Sequence, residues 1–155
     1  DAAEFVGPLD DEKLGLHKVA KYYYYPGWWE GSAPGHFFVN LKLWEELPKA
    51  YKAAITAAAV EGHMWQLSRY DYVNPAALKR LVGAGVQLRR FPDDVMDASF
   101  KTANEIYAEI SAKNADFKKV YEHIKAQRKE WFDWYQVADY TYDTYMLIQN
   151  QKKQL

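Results

Sequence analysis

Apolar and polar residues follow two different periods along this chain, and together they predict both strands and helices. Runs rich in β-branched and aromatic residues predict strands at residues 3–6, 18–25 and 86–92. Residues 36–44, "HFFVNLKLW", predict a further strand that leads into a short helix ending before Pro48. Strands that alternate with helices predict an α/β fold.

Three more helices are predicted between or directly after these strands. The acidic turn at residues 10–12 opens a short helix, because the positive N-terminal end of the helix dipole favours carboxylates. Pro48 begins a long, partly buried helix, which we expect Asn74-Pro75 to break or kink before it resumes and ends at glycine. Residues 92–94, "PDD", start another helix that runs to about Lys113. The apolar positions of the long helix are Tyr51, Ile55, Ala58, Ala59, Met64, Leu67 and Tyr70.

Residues 114–149 predict one unbroken helix, capped by Asn114, whose apolar side chains recur every three or four positions. At ~1.5 Å per residue such a helix is roughly 50 Å long, more than the diameter of a small domain. Either its distal aromatics are buried against a partner subunit, or the helix bends around its own domain. We therefore expect two segments, an α/β portion at 1–113 and a long C-terminal helix at 114–155, which in the first case is a dimerisation arm.

Three or four short strands are too few for a complete doubly wound sheet, so the pattern predicts that partner strands are absent. The chain also opens with Asp1 rather than Met, in the short apolar run "DAAEFVGP". Both features lead us to expect that the sequence begins inside a fold.

Composition adds one anomaly, an aromatic content of 17% within 155 residues. Such an excess fits an aromatic-lined pocket or a large interface, and it equally fits a tyrosine-rich core. The net charge of -1 gives no basic surface for nucleic acid. Without cysteine, disulfides and thiolate metal sites are excluded, and no apolar run approaches the roughly 20 residues of a membrane span.

Two carboxylates stand out as candidate chemistry. Glu4 lies in an otherwise apolar run, and Glu30 follows a Trp-Trp pair in "KYYYYPGWWEGSAPGHFFVN". Carboxylate oxygens suit a hard cation such as Na⁺, Ca²⁺ or Mg²⁺. The alternative is an exposed strand end for Glu4 and a solvated loop for Glu30. The four histidines fit no metal or nucleophile motif.

Three long stretches carry a family resemblance: "DAAEFVGPLDDEKLGLHKVAKYYYYPGWWEG", "HFFVNLKLWEELPKAYKAAI" and "NPAALKRLVGAGVQLRRFP". They closely resemble the solute-binding subunits of tripartite ATP-independent periplasmic (TRAP) transporters, the DctP family, and most of all its binders of 2-oxo acids and monocarboxylates. The resemblance covers the whole chain but only the C-terminal half of such a protein. It implies a type II periplasmic-binding-protein-like fold with a long C-terminal helix.

The resemblance also implies a site in which Na⁺ or Ca²⁺ bridges a small organic acid to the protein. Glu4 and Glu30 match metal-binding carboxylates, and Phe5 matches a residue, usually tryptophan, whose carbonyl binds the metal and whose ring shapes the pocket. Phe5, Trp28 and Trp29 are thereby expected to contact substrate. The family's glutamine metal ligand and substrate-binding arginine lie in the other half.

Further expectations follow from the resemblance: periplasmic localisation, TRAP permease subunits as partners, a homodimer, and binding without catalysis. Two alternatives stay open. One is a metal-dependent enzyme that uses Glu4 or Glu30 as a base, and the other is a helical interaction module that binds no small molecule.

Overall fold

The computed structural model describes residues 2–28 and 35–152 of the chain, which forms two compact units, residues 1–97 and 98–155. The elements of the described residues are, in chain order, α1 (Pro8–Leu14), a 3₁₀ turn (Leu16–Lys18), β1 (Tyr22–Tyr25), α2 (Leu41–Glu46), α3 (Lys49–Gly83), β2 (Gln87–Arg90), α4 (Asp93–Lys113), α5 (Ala115–Val137) and α6 (Asp139–Gln151). Among these, no helix is both long and apolar enough to span a bilayer.

Strands β1 and β2 form a parallel pair in which Tyr22 lies opposite Gln87 and Tyr25 opposite Arg90. These are the strands predicted from "KVAKYYYY" and "VQLRRFP". The strands predicted at residues 3–6 and 36–40 are wrong, because both segments are irregular. A strand needs a neighbour to complete its hydrogen bonds, and β1 and β2 are the strands paired within the described part of the chain.

Helix α3 runs for 35 residues with Pro75 inside it, so of the predicted break or kink at Asn74-Pro75, the break is wrong. Proline removes one helical hydrogen bond and typically costs about 3 kcal/mol in a helix interior. Helix α1 packs against α3 beside this point and stabilises it. The buried apolar side chains Ala77 and Leu81 lie one and two turns beyond Asn74, on the same face.

The predicted glycine stop of α3 is confirmed, in the form of a Schellman motif. Gly85 adopts a left-handed φ of 96°, which favours glycine because a Cβ is strained there. The Val86 N–H donates to the Leu81 carbonyl at 3.1 Å, and the Gly85 N–H donates to the Val82 carbonyl at 3.0 Å. The chain thereby turns directly from α3 into β2.

In the second unit, helix α5 begins where the sequence predicts. The Asn114 side chain accepts a hydrogen bond from the Phe117 N–H at 2.9 Å, a regular N-cap. Phe117 and Tyr121 then stack with their ring centroids 5.7 Å apart, and Tyr107 of α4 lies 5.0 Å from Tyr121. This aromatic cluster packs α4 and α5 together.

The expected unbroken helix over residues 114–149 is wrong, because α5 ends at Val137 and α6 begins at Asp139. Ala138 leaves the helical region, with ψ at -94°. The Thr141 hydroxyl donates to the Gln136 carbonyl at 2.5 Å and satisfies an acceptor that the break releases. Aromatic, β-branched and aspartate residues crowd this stretch, "VADYTYDTY", and each is a weaker helix former than alanine or leucine.

Candidate functional site

The predicted site residues lie on two segments that flank α1 and β1. Glu4 and Phe5 are neighbours in the irregular stretch before α1, where both are exposed, Phe5 at 51%. Trp28 follows β1, after a cis Tyr25-Pro26 peptide, and is 46% exposed. Trp29 and Glu30 lie outside the described residues. Glu4 and Phe5 are neighbours by sequence alone, and the roles expected for Glu4, Phe5, Trp28, Trp29 and Glu30 stay predictions.

The Glu4–Phe5 stretch has the donor chemistry of a hard-cation site. It offers a carboxylate and a backbone carbonyl, both oxygen donors of the kind that Na⁺ and Ca²⁺ prefer. The Phe5 carbonyl belongs to irregular backbone, so it is not committed to a helix or to a strand pair. Across residues 2–28 and 35–152, no group of three or more acidic, histidine or cysteine side chains is arranged to hold a metal. Glu4 and Phe5 thus fit such an ion only as part of a larger set.

Helix α1 fixes the position where this stretch ends. Its N-cap residue, Gly7, has no side chain, and Asn74 of α3 takes over the capping role. The Leu9 N–H donates to the Asn74 side-chain oxygen at 3.1 Å, which satisfies one of the unpaired donors of the first turn. One turn away, the Asp10 carboxylate raises the pKa of the Tyr70 phenol through a hydrogen bond.

A bidentate ion pair holds the other end of α1. The Arg80 guanidinium donates to both carboxylate oxygens of Glu12, at 2.7 and 2.6 Å. Two parallel charge-assisted bonds give this contact directional specificity. They hold the pKa of the Glu12 carboxyl below its usual range and raise that of Arg80.

A buried hydrogen bond ties α1 to β1. Asp11 is only 5% exposed, and its Oδ2 accepts from the Tyr23 hydroxyl at 2.5 Å. Burial is the main reason that the pKa of Asp11 is raised, and the nearby Asp10 charge adds to it, whereas the bond from Tyr23 acts in the opposite direction. Burial and the same bond raise the pKa of Tyr23.

The sequence did not reveal these contacts in advance. The tyrosine run at 22–25 predicts a strand, but it does not say which hydroxyl is buried. Likewise, Asn74 before proline suggests a break rather than a cap for another helix. The sequence signal for them is the acidic start of α1, which supplies three consecutive carboxylates, Asp10, Asp11 and Glu12, within one turn of helix.

Comparison with known proteins supplies the context for this arrangement. Residues 1–114 match the model of the DctP family, described as bacterial extracellular solute-binding protein, family 7. A protein of Nostoc sp. (strain PCC 7120) named as a monocarboxylate 2-oxoacid-binding periplasmic protein is 45% identical over 145 residues, which are 94% of this chain and 40% of that protein. The chain thus spans less than half the length of this curated relative.

Two solved structures are similar to the chain. A TRAP transporter solute-binding protein from Bordetella bronchiseptica RB50 is 44% identical, with a TM-score of 0.93 over 99% of this chain and 46% of its own. It is described as a mixed-occupancy dimer with copurified calcium and picolinate in one active site and the other site apo. A TRAP periplasmic solute-binding protein from Pseudoalteromonas atlantica T6c, with bound sodium and pyruvate, is 33% identical, with a TM-score of 0.79 over 90% of this chain and 43% of its own.

These matches confirm the periplasmic-binding-protein-like fold class that the sequence predicts. The family is one of solute-binding proteins for transport and not of enzymes. With its first 114 residues matching the family model, the chain belongs to family 7 of the bacterial extracellular solute-binding proteins, the DctP family.

Proposed function

We propose that this chain is the C-terminal portion of a TRAP transporter solute receptor that binds a small 2-oxo acid or related monocarboxylate through a bridging cation. One observation carries the proposal, namely the chemistry common to the ligands of the two similar structures. Picolinate and pyruvate each place a second donor atom, a ring nitrogen or a keto oxygen, beside a carboxylate. Each accompanies a cation, calcium or sodium.

A cation explains how acidic residues can serve an anionic ligand. Glu4 and Glu30 alone would repel a carboxylate, whereas an ion between them reverses the local charge. The ligand's carboxylate and its neighbouring donor then coordinate the same ion. The Phe5 carbonyl contributes a neutral oxygen, and the rings of Phe5, Trp28 and Trp29 exclude water from the ligand.

The receptor role also brings proposed partners. We place the protein in the periplasm, as the Nostoc relative is named, where it would deliver its solute to the TRAP permease subunits. The remaining ligand-binding groups, an arginine and a glutamine, would come from a preceding lobe. The similar Bordetella chain is more than twice as long as the part that this chain covers, which leaves room for such a lobe.

We further propose that residues 114–155 act as a dimerisation arm on an α/β portion formed by 1–113. The match to the family model ends at residue 114 of this chain. The match to the dimeric Bordetella protein covers 99% of the chain and so includes the arm. Large exposed apolar residues on this arm support the idea, and they include Trp131, Phe132, Trp134, Val137, Tyr140, Tyr142, Tyr145 and Leu147.

Isothermal titration calorimetry of the intact protein with pyruvate tests the cation bridge. We expect measurable binding in Ca²⁺ or Na⁺ and a large loss of affinity after chelation or ion removal. Glu30→Gln should abolish most of the cation dependence, whereas Glu61→Gln, on an exposed face of α3, should leave it unchanged. Equal affinity with and without cation would refute the proposal.

A turnover assay separates the receptor from a metal-dependent enzyme. We expect pyruvate to be recovered unchanged after prolonged incubation with the protein and cation. Consumption of the 2-oxo acid that disappears in Glu4→Gln or Glu30→Gln would instead favour catalysis.

A further inference from the structure

The two segments of the proposed site are both connected to helix α1. Glu4 and Phe5 lie shortly before it, and β1 leads to Trp28. Cation sites tolerate little error, because Ca²⁺–oxygen distances fall within about 2.3–2.6 Å. Contacts made by other residues must therefore hold the two segments at a constant spacing.

Helix α1 is itself well fixed on α3. Asn74 caps its first turn, and Arg80 forms a bidentate ion pair with Glu12 near its end. Ala77, which lies between these two residues on α3, is 0% exposed. Two polar contacts at different points along a seven-residue helix restrict its sliding and rotation. The start of α1 is thus a rigid reference for the Glu4–Phe5 stretch.

The Asp11–Tyr23 hydrogen bond connects β1 to this reference. Tyr23 is part-buried, its phenol reaches a carboxylate that is 5% exposed, and the bond spans only 12 residues of sequence. Buried charge-assisted hydrogen bonds are stronger and more directional than exposed ones. This bond therefore restrains movement of β1 relative to α1.

We propose that Asp11 and Tyr23 are positioning residues for the cation–ligand site, holding the segment that leads to Trp28 in register with the segment that carries Glu4 and Phe5. The inference rests on the proposed function. Neither residue is required to touch the ion. Partners that orient metal ligands from behind typically change metal affinity by roughly 10–100-fold when removed.

Tyr23→Phe in the intact protein removes the hydrogen bond and keeps the ring. The matched control is Tyr22→Phe, one position earlier on β1, which keeps the ring that lies 4.1 Å from the Arg89 guanidinium carbon. Calorimetric titration of Ca²⁺ in saturating pyruvate should show an apparent Kd roughly tenfold higher for Tyr23→Phe, and within about twofold of wild type for Tyr22→Phe. Asp11→Asn keeps an oxygen acceptor for Tyr23, so we expect a smaller change.

Hydrogen–deuterium exchange of the ligand-free protein gives a readout that a merely stabilising contact would not produce. In Tyr23→Phe, amides at 2–7 and 27–28 should exchange faster, while the amides of α4 and α5 should stay at wild-type rates. A uniform increase over the whole chain would mean general destabilisation and would overturn the positioning role.

Different results would refute the proposed receptor function and the positioning role of Asp11 and Tyr23. If wild-type protein binds no 2-oxo acid, the proposed function is wrong, and the exchange pattern alone then decides whether Asp11–Tyr23 positions the two segments. If wild-type protein binds but Tyr23→Phe retains both its Ca²⁺ affinity and its exchange rates, the positioning role is wrong and the receptor function stands. Should Tyr23→Phe fail to fold, Asp11→Asn is measured in the same two ways.

Discussion

The two units of the chain are both rich in aromatic side chains, yet they hold together by different means. In residues 1–97, α1 is fastened to α3 and β1 by directed polar contacts at Asn74, Arg80 and Tyr23. In residues 98–155, rings stack on one another along the helices, as Trp131 does on Tyr135 at 4.8 Å, while much of their surface stays exposed. Directed bonds fix the geometry of a site, whereas exposed rings supply non-directional energy for association.

The largest effect is expected at the apolar contact in the first unit. Leu81 is 3% exposed, so Leu81→Ala should lower the free energy of unfolding by about 2–5 kcal/mol. Leu67→Ala on the same helix is the control, because Leu67 is 54% exposed and little packing is lost. Urea denaturation followed by circular dichroism measures both, and equal losses would contradict the burial pattern.

The next largest effect is expected when an exposed aromatic side chain of the second unit is removed, and it concerns self-association of the chain. Trp134 is 65% exposed, and its replacement by alanine should weaken the proposed dimer by about 2–4 kcal/mol. Trp65→Ala on α3 is the matched control, since Trp65 is 62% exposed but lies in the other unit. Sedimentation equilibrium reports both, and a dimer unchanged by Trp134→Ala would count against this part of the arm.

The helix caps allow a comparison of the same chemistry in both units. Asn114→Ala should destabilise the chain by about 1 kcal/mol, because the bond to the Phe117 N–H is short and starts a 23-residue helix. Asn40→Ala should cost less, since its bond to the Leu43 N–H is 3.3 Å and α2 has six residues. Thermal denaturation gives the difference, and Asn114→Asp should recover most of the loss.

The smallest effect is expected from the ion pairs, and it depends on pH. The pKa of Glu12 is lowered in the folded chain, so its ionised form stabilises the fold above its unfolded pKa, and this contribution is lost as pH falls through the folded value. Glu12→Gln should therefore lower the melting temperature near neutral pH and make little difference in strong acid.

Asp133→Asn is the control for the pH dependence of Glu12→Gln. It breaks the exposed Lys129–Asp133 pair in the second unit, where both side chains are more than two-thirds exposed. Exposed pairs of this kind contribute little to stability. A pH-independent effect of Glu12→Gln would mean that shape rather than charge matters at this contact.

Local patterns in the sequence predicted most of the elements of the fold. The turn residues and the acidic first turn located α1, the tyrosine run located β1, and Asn114 located the start of α5. These signals succeed because caps, turns and propensities act within a few residues. The strands predicted at 3–6 and 36–40 failed because a strand also needs a partner, which no local pattern supplies.

Local sequence patterns predicted less of the candidate site than of the fold. Glu4 and Glu30 stood out as carboxylates in apolar or aromatic stretches, whereas Phe5, Trp28 and Trp29 were added by the resemblance to a family. The roles of all five remain predictions. The contacts that support the site, Asp11–Tyr23 and Leu9–Asn74, join residues 12 and 65 positions apart. Such pairs depend on how α1 lies against β1 and α3, and spacing along the chain does not encode that.

By itself, the sequence determined the helices and strands with strong local signals, the absence of thiol chemistry, and the family. Tertiary structure decided that α3 continues through Pro75, that Asn74 caps a different helix, and that one tyrosine hydroxyl of four reaches a buried carboxylate. The physical reason is the separation along the chain over which each kind of interaction acts. Backbone preferences are settled among neighbours, whereas a proline is accommodated and a buried charge is paired only by groups that folding brings from elsewhere in the chain.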